Sequence, residues 1–398
     1  MISFKEAYQL VLEHNMSLHT HHVSITKAHQ NVLAEAVYAD RDFPPFHRAT
    51  KDGIAIAYKA YQAGQRSFVI EGVAAAGNPQ QELNQPEGCL EVMTGAMVPT
   101  NTDTIVMYEH LEIKDSIATI VKPVREGQNI HKQGSDEPKG SLVLQKGTII
   151  TPAEIGVLAS VGKYKVLVYQ KPKVAVISTG NELVDVHETP QPHQIRKSNS
   201  YSIVAALDQM GIMATQYHVV DEALSVKESL AQILENYDVL LLSGGVSKGK
   251  YDYIPGALES LGVTKLFHKV KQRPGKPFWF GTSNKHKATV FAFPGNPAST
   301  FANFHVYFVP WYHKSLGIPT TFFWVQLAEA IENDLPLTRF VRTRVSLNQH
   351  QLQAHFITEN GSGDLTSLTK ANGFVMLEPE TTYSNEELVP FIPTKPIL

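Results

Sequence analysis

Hydrophobic positions in the middle of the chain fall into short unbroken runs. Residues 173–179 (KVAVIST), 239–242 (VLLL) and 289–293 (TVFAF) each read as a strand buried on both faces. Each run stops at a glycine-bearing loop: Gly180-Asn181-Glu182, Gly244-Gly245 and Pro294-Gly295-Asn296-Pro297. Glycine at a strand end lets backbone approach a ligand, and in open α/β sheets ligands bind beyond the carboxyl ends of parallel strands. From Lys173 to about Gly317 strands alternate with helices, which predicts a doubly wound parallel sheet. Asn296 as cap and Pro297 at the first position predict a helix from Ala298 with free N–H groups aimed at the loop. Ser198-Asn199-Ser200 is predicted to cap a helix over 201–210.

The flanks have other periods. Phe4, Tyr8, Val11 and Leu12 at helical spacing behind Ser3 predict a helix over 3–14, and a second is expected over 24–36. After the proline-stiffened stretch 42–46, Ile54, Ile56 and Tyr58 alternate, and segments up to about Ser141 are short and strand-like. They read as a β-rich module inserted between helical flanks. Thr151-Pro152-Ala153-Glu154 is a capping box that opens a helix running to Val161. Beyond Pro319, strands over 322–330, 339–348, 353–357 and 373–377 predict a small all-β C-terminal domain.

At 398 residues the chain is expected to hold three or four domains. A formal charge of −3 and a pI near 6.6 give no basic field for nucleic acid or an anionic membrane. No run of 18 apolar residues occurs, so no membrane span is expected, and Glu6 and Glu13 interrupt the first apolar stretch where a signal peptide would lie. Cys89, the only cysteine, excludes an internal disulfide framework and multi-thiolate zinc sites, and a cytoplasmic setting is expected. His19, His21 and His22 do not share one helix face and read as surface histidines.

The candidate chemistry gathers past the strand ends. Ser247, Lys248, Gly249 and Asp252 bring a hydroxyl, a cation and a carboxylate into one short loop, which suits a phosphate and its metal ion. Glu182, Asp221 and Asp252 are three acids expected beyond strands of one sheet. With a phosphate they would share a Mg2+; singly, each is also an ordinary acid near a helix N-terminus. Lys269, Lys271, Arg273 and Lys276 crowd around a Pro-Gly turn, either as a solvated turn or as an oxyanion site. Thr94 and Asp136, alone, read as turn residues.

Seven blocks in order resemble the molybdopterin molybdenumtransferase family: KDGIAI, EVMTGAMVP, TIVMYE, VAVISTGNEL, LLLSGGVSKGKYDYI, KVKQRPGKPFWFG and VFAFPGNPAST. The resemblance runs from about Asp42 to Leu377. It implies a multidomain α/β plus β architecture: a helical N-terminal and linker domain (1–41 and 142–168), an inserted β-rich domain (42–141), a molybdopterin-binding-type α/β domain (169–317) and a C-terminal β-barrel-like domain (318–398). It implies a homodimer whose cleft combines the α/β domain of one subunit with the β-rich domain of the other, so that Asp52, Thr94 and Asp136 matter. The implied reaction converts adenylylated molybdopterin and molybdate into molybdenum cofactor with Mg2+-dependent release of AMP. Asp252, Glu182, Asp52 and Asp221 would be catalytic, with Glu182, Asp221 and Asp252 as metal ligands. Thr94, Asp136, Gly244, Gly245, Ser247, Asn296 and Ser299 would hold the adenylylated pterin, and Arg273, Lys276, Arg342, Ser362 and Lys269 the molybdate. Molybdopterin adenylyltransferase and cofactor-receiving enzymes are the expected partners, with no nucleic acid and no membrane.

Several positions depart from the family pattern: Arg48-Ala49-Thr50-Lys51 before Asp52-Gly53, Asn181 and Lys197 where acids are usual, Lys248 for a common valine, Met97 for a proline and Arg273 for a lysine. They make the cleft more cationic. Two rival functions follow from the same fold: a non-catalytic pterin-binding or scaffold paralogue, and adenylyl transfer to molybdopterin. Retention of Asp52, Glu182, Asp221 and Asp252 favours insertion over the first, and the four-domain layout disfavours the second.

Overall fold

The computed structural model describes residues 1–246, 252–348 and 350–397. They form two compact units, Met1–His21 with Tyr169–Leu398, and His22–Val168.

In the first unit the run Val239–Ser243 becomes the central strand of a six-stranded sheet. It lies parallel to Val174–Thr179 on one side and to Ala288–Phe293 on the other. Ala214–Val219 extends the parallel part beyond Val174–Thr179. All three inner strands are buried along their whole length, as unbroken apolar runs require. One expectation needs correction: the sheet is not wholly parallel. Trp279–Ser283 and Thr264–His268 run antiparallel at one edge, because a tight hairpin with Lys287 at φ 52° returns the chain directly into Ala288–Phe293.

Helices cover both faces, as a doubly wound sheet requires. Ala223–Asn236 and Ile254–Ser260 bury Val226, Leu230, Ile233, Ile254 and Leu258 against Ile177, Leu240 and Leu242 on one face. The opposite face is aromatic: Phe278, Phe291 and Phe293 pack with Tyr307, Phe308 and Trp311.

The C-terminal part closes on itself. Thr338–Asn348, Gln351–Phe356, Phe323–Leu327, Leu388–Pro393 and Gly373–Leu377 pair in turn, and the last pairs back to the first. A ring of strands results, filled by Val325, Leu327, Val345, Val375 and Phe391. Val270–Arg273 then departs from the α/β sheet and joins this ring in parallel, with Gln272 opposite Thr338 and Arg273 opposite Arg339. That strand carries basic residues from one domain to the lip of the other.

The N-terminal helix Phe4–Glu13 forms with the expected capping box on Ser3 and Glu6. It belongs to the same compact unit as Tyr169–Leu398. Phe4 packs on Tyr307 and Phe340, Tyr8 on Phe322, and Trp311 donates from Nε1 to His14 O at 2.8 Å. Periodicity identified the apolar face of this helix but not the aromatic surface that receives it.

In the second unit, residues 24–36 correct another expectation. Only a 3-10 turn, Ile25–Lys27, is helical. Gln30 is left-handed at φ 61°, Asn31 Nδ2 donates to the carbonyls of Lys27 and Ala28, and Val32 and Leu33 form bridges to Ile149 and Val168. An asparagine that satisfies helix carbonyls from its side chain ends a helix rather than extends it. The β-rich module forms a six-stranded sheet in the order Thr104–Met107, Gly53–Ile56, Gly88–Val92, Ser67–Ala74, Ile117–Ile120 and Leu111–Lys114. Cys89 is buried in its core, and desolvation pushes its thiol up to about 12, so it is no nucleophile.

Among the described residues no helix is long and apolar enough to cross a membrane.

Candidate active site

The three strand-end loops converge, as the sequence predicts, on one cavity of about 1220 Å³ in the Tyr169–Leu398 part of the chain. Gly180 and Glu182 line it from the first loop, Gly244, Gly245 and Asp252 from the second, and Gly295, Asn296 and Ser299 from the third. Asp221 enters from the end of Ala214–Val219. Arg273 and Lys276 come from the crossing strand and its turn, and Arg342, Glu359 and Ser362 from the barrel domain. Ser247 and Lys248 lie outside the described residues.

Position 244 requires glycine. Its φ is +102°, and a Cβ there would stand 2.7 Å from Thr179 O and 2.8 Å from Thr179 Oγ1. Gly244→Ala is expected to cost on the order of 1–3 kcal/mol through strain and to push the loop into the cavity. A lowered unfolding midpoint together with weakened ligand binding checks this; unchanged values in both would contradict it.

Acids gather at one end. Burial raises the Asp221 carboxyl above the usual range, and Glu182 and then Asp252 add to this by repulsion, while an Asn181 backbone N–H on the carboxylate pulls the other way. Asn181 Oδ1 also accepts the Asp221 N–H at 3.0 Å. Asn181 thus braces the loop. Thr179 Oγ1 beside these groups is buried with no partner among the described residues. An all-oxygen set of this kind suits a hard cation such as Mg2+. No group of three or more His, Cys, Asp and Glu among the described residues is spaced as a ready-made metal site. Mg2+ keeps several waters and takes only one or two carboxylates, so the residues present still fit it.

Cations line other parts of the cavity, with two further acids, Asp334 and Glu359. Lys197 is partly buried with its Nζ 3.3 Å from Asp185 Oδ2. The Asp185 carboxyl is lowered to about 2, mainly by the Tyr201 hydroxyl, then by the Val186 N–H and Lys197. The Lys197 charge is therefore neutralised within the wall. Arg273 and Lys276 are exposed to the cavity. Their turn is held by Asn303, whose Nδ2 donates to Gly275 O and whose Oδ1 accepts from Gln272 Nε2 at 2.8 Å, with the Tyr307 hydroxyl donating to Gln272. Arg342 is 1% exposed. Its Nη1 donates to Ser367 Oγ and its Nη2 to Gly361 O, so it anchors the 359–367 loop as well as facing the cavity. Lys269 differs from expectation: it sits in a turn at φ 76°, its N–H on Phe278 O, outside the cavity lining.

The helix Pro297–Asn303 forms, but its end is not free. Asn296 Nδ2 donates to Ser362 Oγ at 2.7 Å instead of capping its own helix, and Ser362 O accepts the Ala298 N–H. Asn199 is also misjudged as a cap: the helix Asn199–Gln209 starts at it, and its Nδ2 donates to Ser243 Oγ at 2.8 Å and Gly295 O at 2.7 Å. One amide thus ties two strand-end loops together. Nothing local distinguishes a capping asparagine from a cross-linking one, so Asn199 and Gln272 were not legible as site residues.

The remaining expected residues lie in the His22–Val168 unit. Asp52 Oδ1 accepts the Thr94 N–H at 2.6 Å and its hydroxyl at 2.7 Å, and these bonds hold the carboxyl below its usual range. Asp136 pairs with His131 Nε2 at 2.8 Å, and Arg48 donates to His131 Nδ1 at 3.1 Å. Two of the three residues are therefore joined directly, while the third belongs to a separate relay.

Three family models cover most of the chain: the MoeA N-terminal region (domains I and II) over residues 2–162, a probable molybdopterin binding domain over 175–314, and the MoeA C-terminal region (domain IV) over 325–394. A molybdopterin molybdenumtransferase of Synechocystis sp. is 35% identical over 98% of this chain and 99% of its own. The chain belongs to the molybdopterin molybdenumtransferase family. A family member from Staphylococcus epidermidis is 31% identical over 94% of this chain and 91% of its own. The crystal structure of a molybdopterin biosynthesis moeA protein from Pyrococcus horikoshii OT3 superposes with a TM-score of 0.83 at 27% identity, covering 98% of this chain and 99% of that one. Across the family model for the molybdopterin binding domain, this family member supplies the glycine loops, the acids and the Arg273–Lys276 turn of the cavity.

Proposed function

We propose that the chain is a molybdopterin molybdenumtransferase, converting adenylylated molybdopterin and molybdate into molybdenum cofactor with release of AMP. The observation that carries this is one cavity lined both by a group of acids, Glu182, Asp221 and Asp252, and by the cations Arg273, Lys276 and Arg342. The acids suit the cation that a phosphoanhydride requires, and the cations suit a tetrahedral dianion.

In this proposal Gly244, Gly245, Asn296 and Ser299 bind the adenylylated pterin, with Ser247 beside them. Asp221, Glu182 and Asp252 orient the anhydride and its attacking water. Asp221 with Glu182 or Asp252 would hold Mg2+, which when bound supplies charge neutralisation at the anhydride. Ser362, on the loop anchored by Arg342, completes the molybdate end. The protein is proposed to act in the cytoplasm as a homodimer, the β-rich unit of one subunit completing the cleft of the other.

The test is AMP release from adenylylated molybdopterin with molybdate and Mg2+ each present or omitted, followed by reconstitution of an apo-molybdoenzyme. Release that requires both ions and yields active enzyme is expected. Tight pterin binding with no release under any condition would assign the chain to a binding role instead.

A further inference from the structure

The barrel domain places one of its own carboxylates on the guanidinium that faces the cavity. Glu359 Oε2 lies 3.1 Å from Arg342 Nη1, whereas Asp364, the other acid nearby, is 3.9 Å away. Arg342 is 1% exposed, so its charge is poorly served by solvent, and its buried Nε has no acceptor among the described residues. Glu359 is different: its side chain is 36% exposed, and it lines the same cavity as Arg273 and Lys276. It is carried on a loop whose neighbours are fixed, with Gly361 O on Arg342 and Ser362 on Asn296. Asp364, by contrast, is committed to the loop itself, accepting the N–H groups of Asn360 and Ser367.

A buried arginine without a counter-anion is costly, and a carboxylate is the chemical equivalent of the oxyanion such a site would take. We propose that Glu359 is an internal counter-anion of the oxyanion subsite. It satisfies Arg342 while the subsite is empty, and an incoming tetrahedral oxyanion must displace it toward solvent. Its partial exposure gives it somewhere to go, while the braces on either side keep the loop in place. Glu359 thereby sets how much free oxyanion the site requires before it fills. This inference rests on the proposed molybdate subsite.

The experiment is equilibrium binding of molybdate to the full chain and to Glu359→Gln, Glu359→Ala and Asp334→Asn, each first checked for an unchanged circular dichroism spectrum. Asp334 lines the same cavity, whereas the ion pairs of Arg342 among the described residues are with Glu359 and Asp364, so Asp334 measures the general effect of removing one negative charge. Glutamine keeps an acceptor for Arg342, and alanine removes it. Both Glu359 variants are expected to bind molybdate about tenfold more tightly than the parent, within the usual range for groups coupled at one site, and Asp334→Asn much less so. Unchanged or weaker binding in both Glu359 variants, or an equal gain in Asp334→Asn, overturns the inference. AMP release by the parent chain separates the two levels. If release depends on molybdate while the Glu359 variants bind no better, only the counter-anion is lost; if the parent neither binds molybdate nor releases AMP, the insertase function falls.

Discussion

Asp221→Asn and Asp252→Ala are each expected to lower single-turnover AMP release by roughly a hundredfold or more, the scale seen when one preorganised group at a developing charge is removed. The two acids reach the cavity from different strand ends, and Asp252 lies close enough to raise the Asp221 carboxyl by repulsion. Asp221 offers a second signature. Its carboxyl is raised chiefly by burial, then by Glu182 and Asp252, so its folded pKa lies above its unfolded one. Such a group contributes stability that is fully present below the unfolded pKa and lost as pH rises through the folded pKa. Asparagine cannot ionise. In metal-free buffer Asp221→Asn is therefore expected to be more stable than the parent at pH 7, with the difference vanishing in acid. Glu182→Gln should shift the acid limb of the parent's rate profile downward, because the larger of the two repulsive neighbours is gone. Urea melts at several pH values and the rate profile check both, and an Asp221→Asn protein that loses stability at neutral pH would mean that the carboxylate is a structural brace.

Arg342→Ala has the largest expected effect on stability. It removes the ties to Ser367 and Gly361 and leaves a void where the buried guanidinium packs, while the partly exposed Glu359 can turn to solvent. Losing a buried charged donor with two such bonds costs on the order of 2–4 kcal/mol. Arg342→Lys should recover only part of this, since a single ammonium cannot span the hydroxyl and the carbonyl as the planar guanidinium does. Arg273→Ala and Lys276→Ala make the contrast. Both side chains are exposed, so their unfolding free energies should stay within about 0.5 kcal/mol of the parent while molybdate binding weakens. Denaturant melts beside molybdate titrations separate the two behaviours. Equal stability losses at all three positions would argue that the whole cationic end is structural.

The apolar runs Val239–Ser243, Val174–Thr179 and Ala288–Phe293 were legible because strands buried on both faces leave no polar positions to confuse the pattern. Their glycine exits and acids followed, and with them one end of the site. Lys269 shows the limit: it belongs by spacing to the basic cluster, yet a left-handed turn takes it out of the cavity. Asn199 and Asn296 show another, since both sit at helix starts and both spend their amides on distant loops.

The sequence by itself determined the family and the inner strands of the sheet, because these depend on local composition and on motifs whose parts are contiguous. Tertiary structure decided where the N-terminal helix packs, the antiparallel edge of the sheet and the partners of the charged groups. These depend on contacts between residues far apart in the chain, such as Phe4 on Phe340, Asn199 on Gly295 and Asn296 on Ser362. Charge carries no address in sequence. Lys197 reads as one more cation until Asp185 is found beside it, and Arg342 as a free oxyanion ligand until Glu359 is.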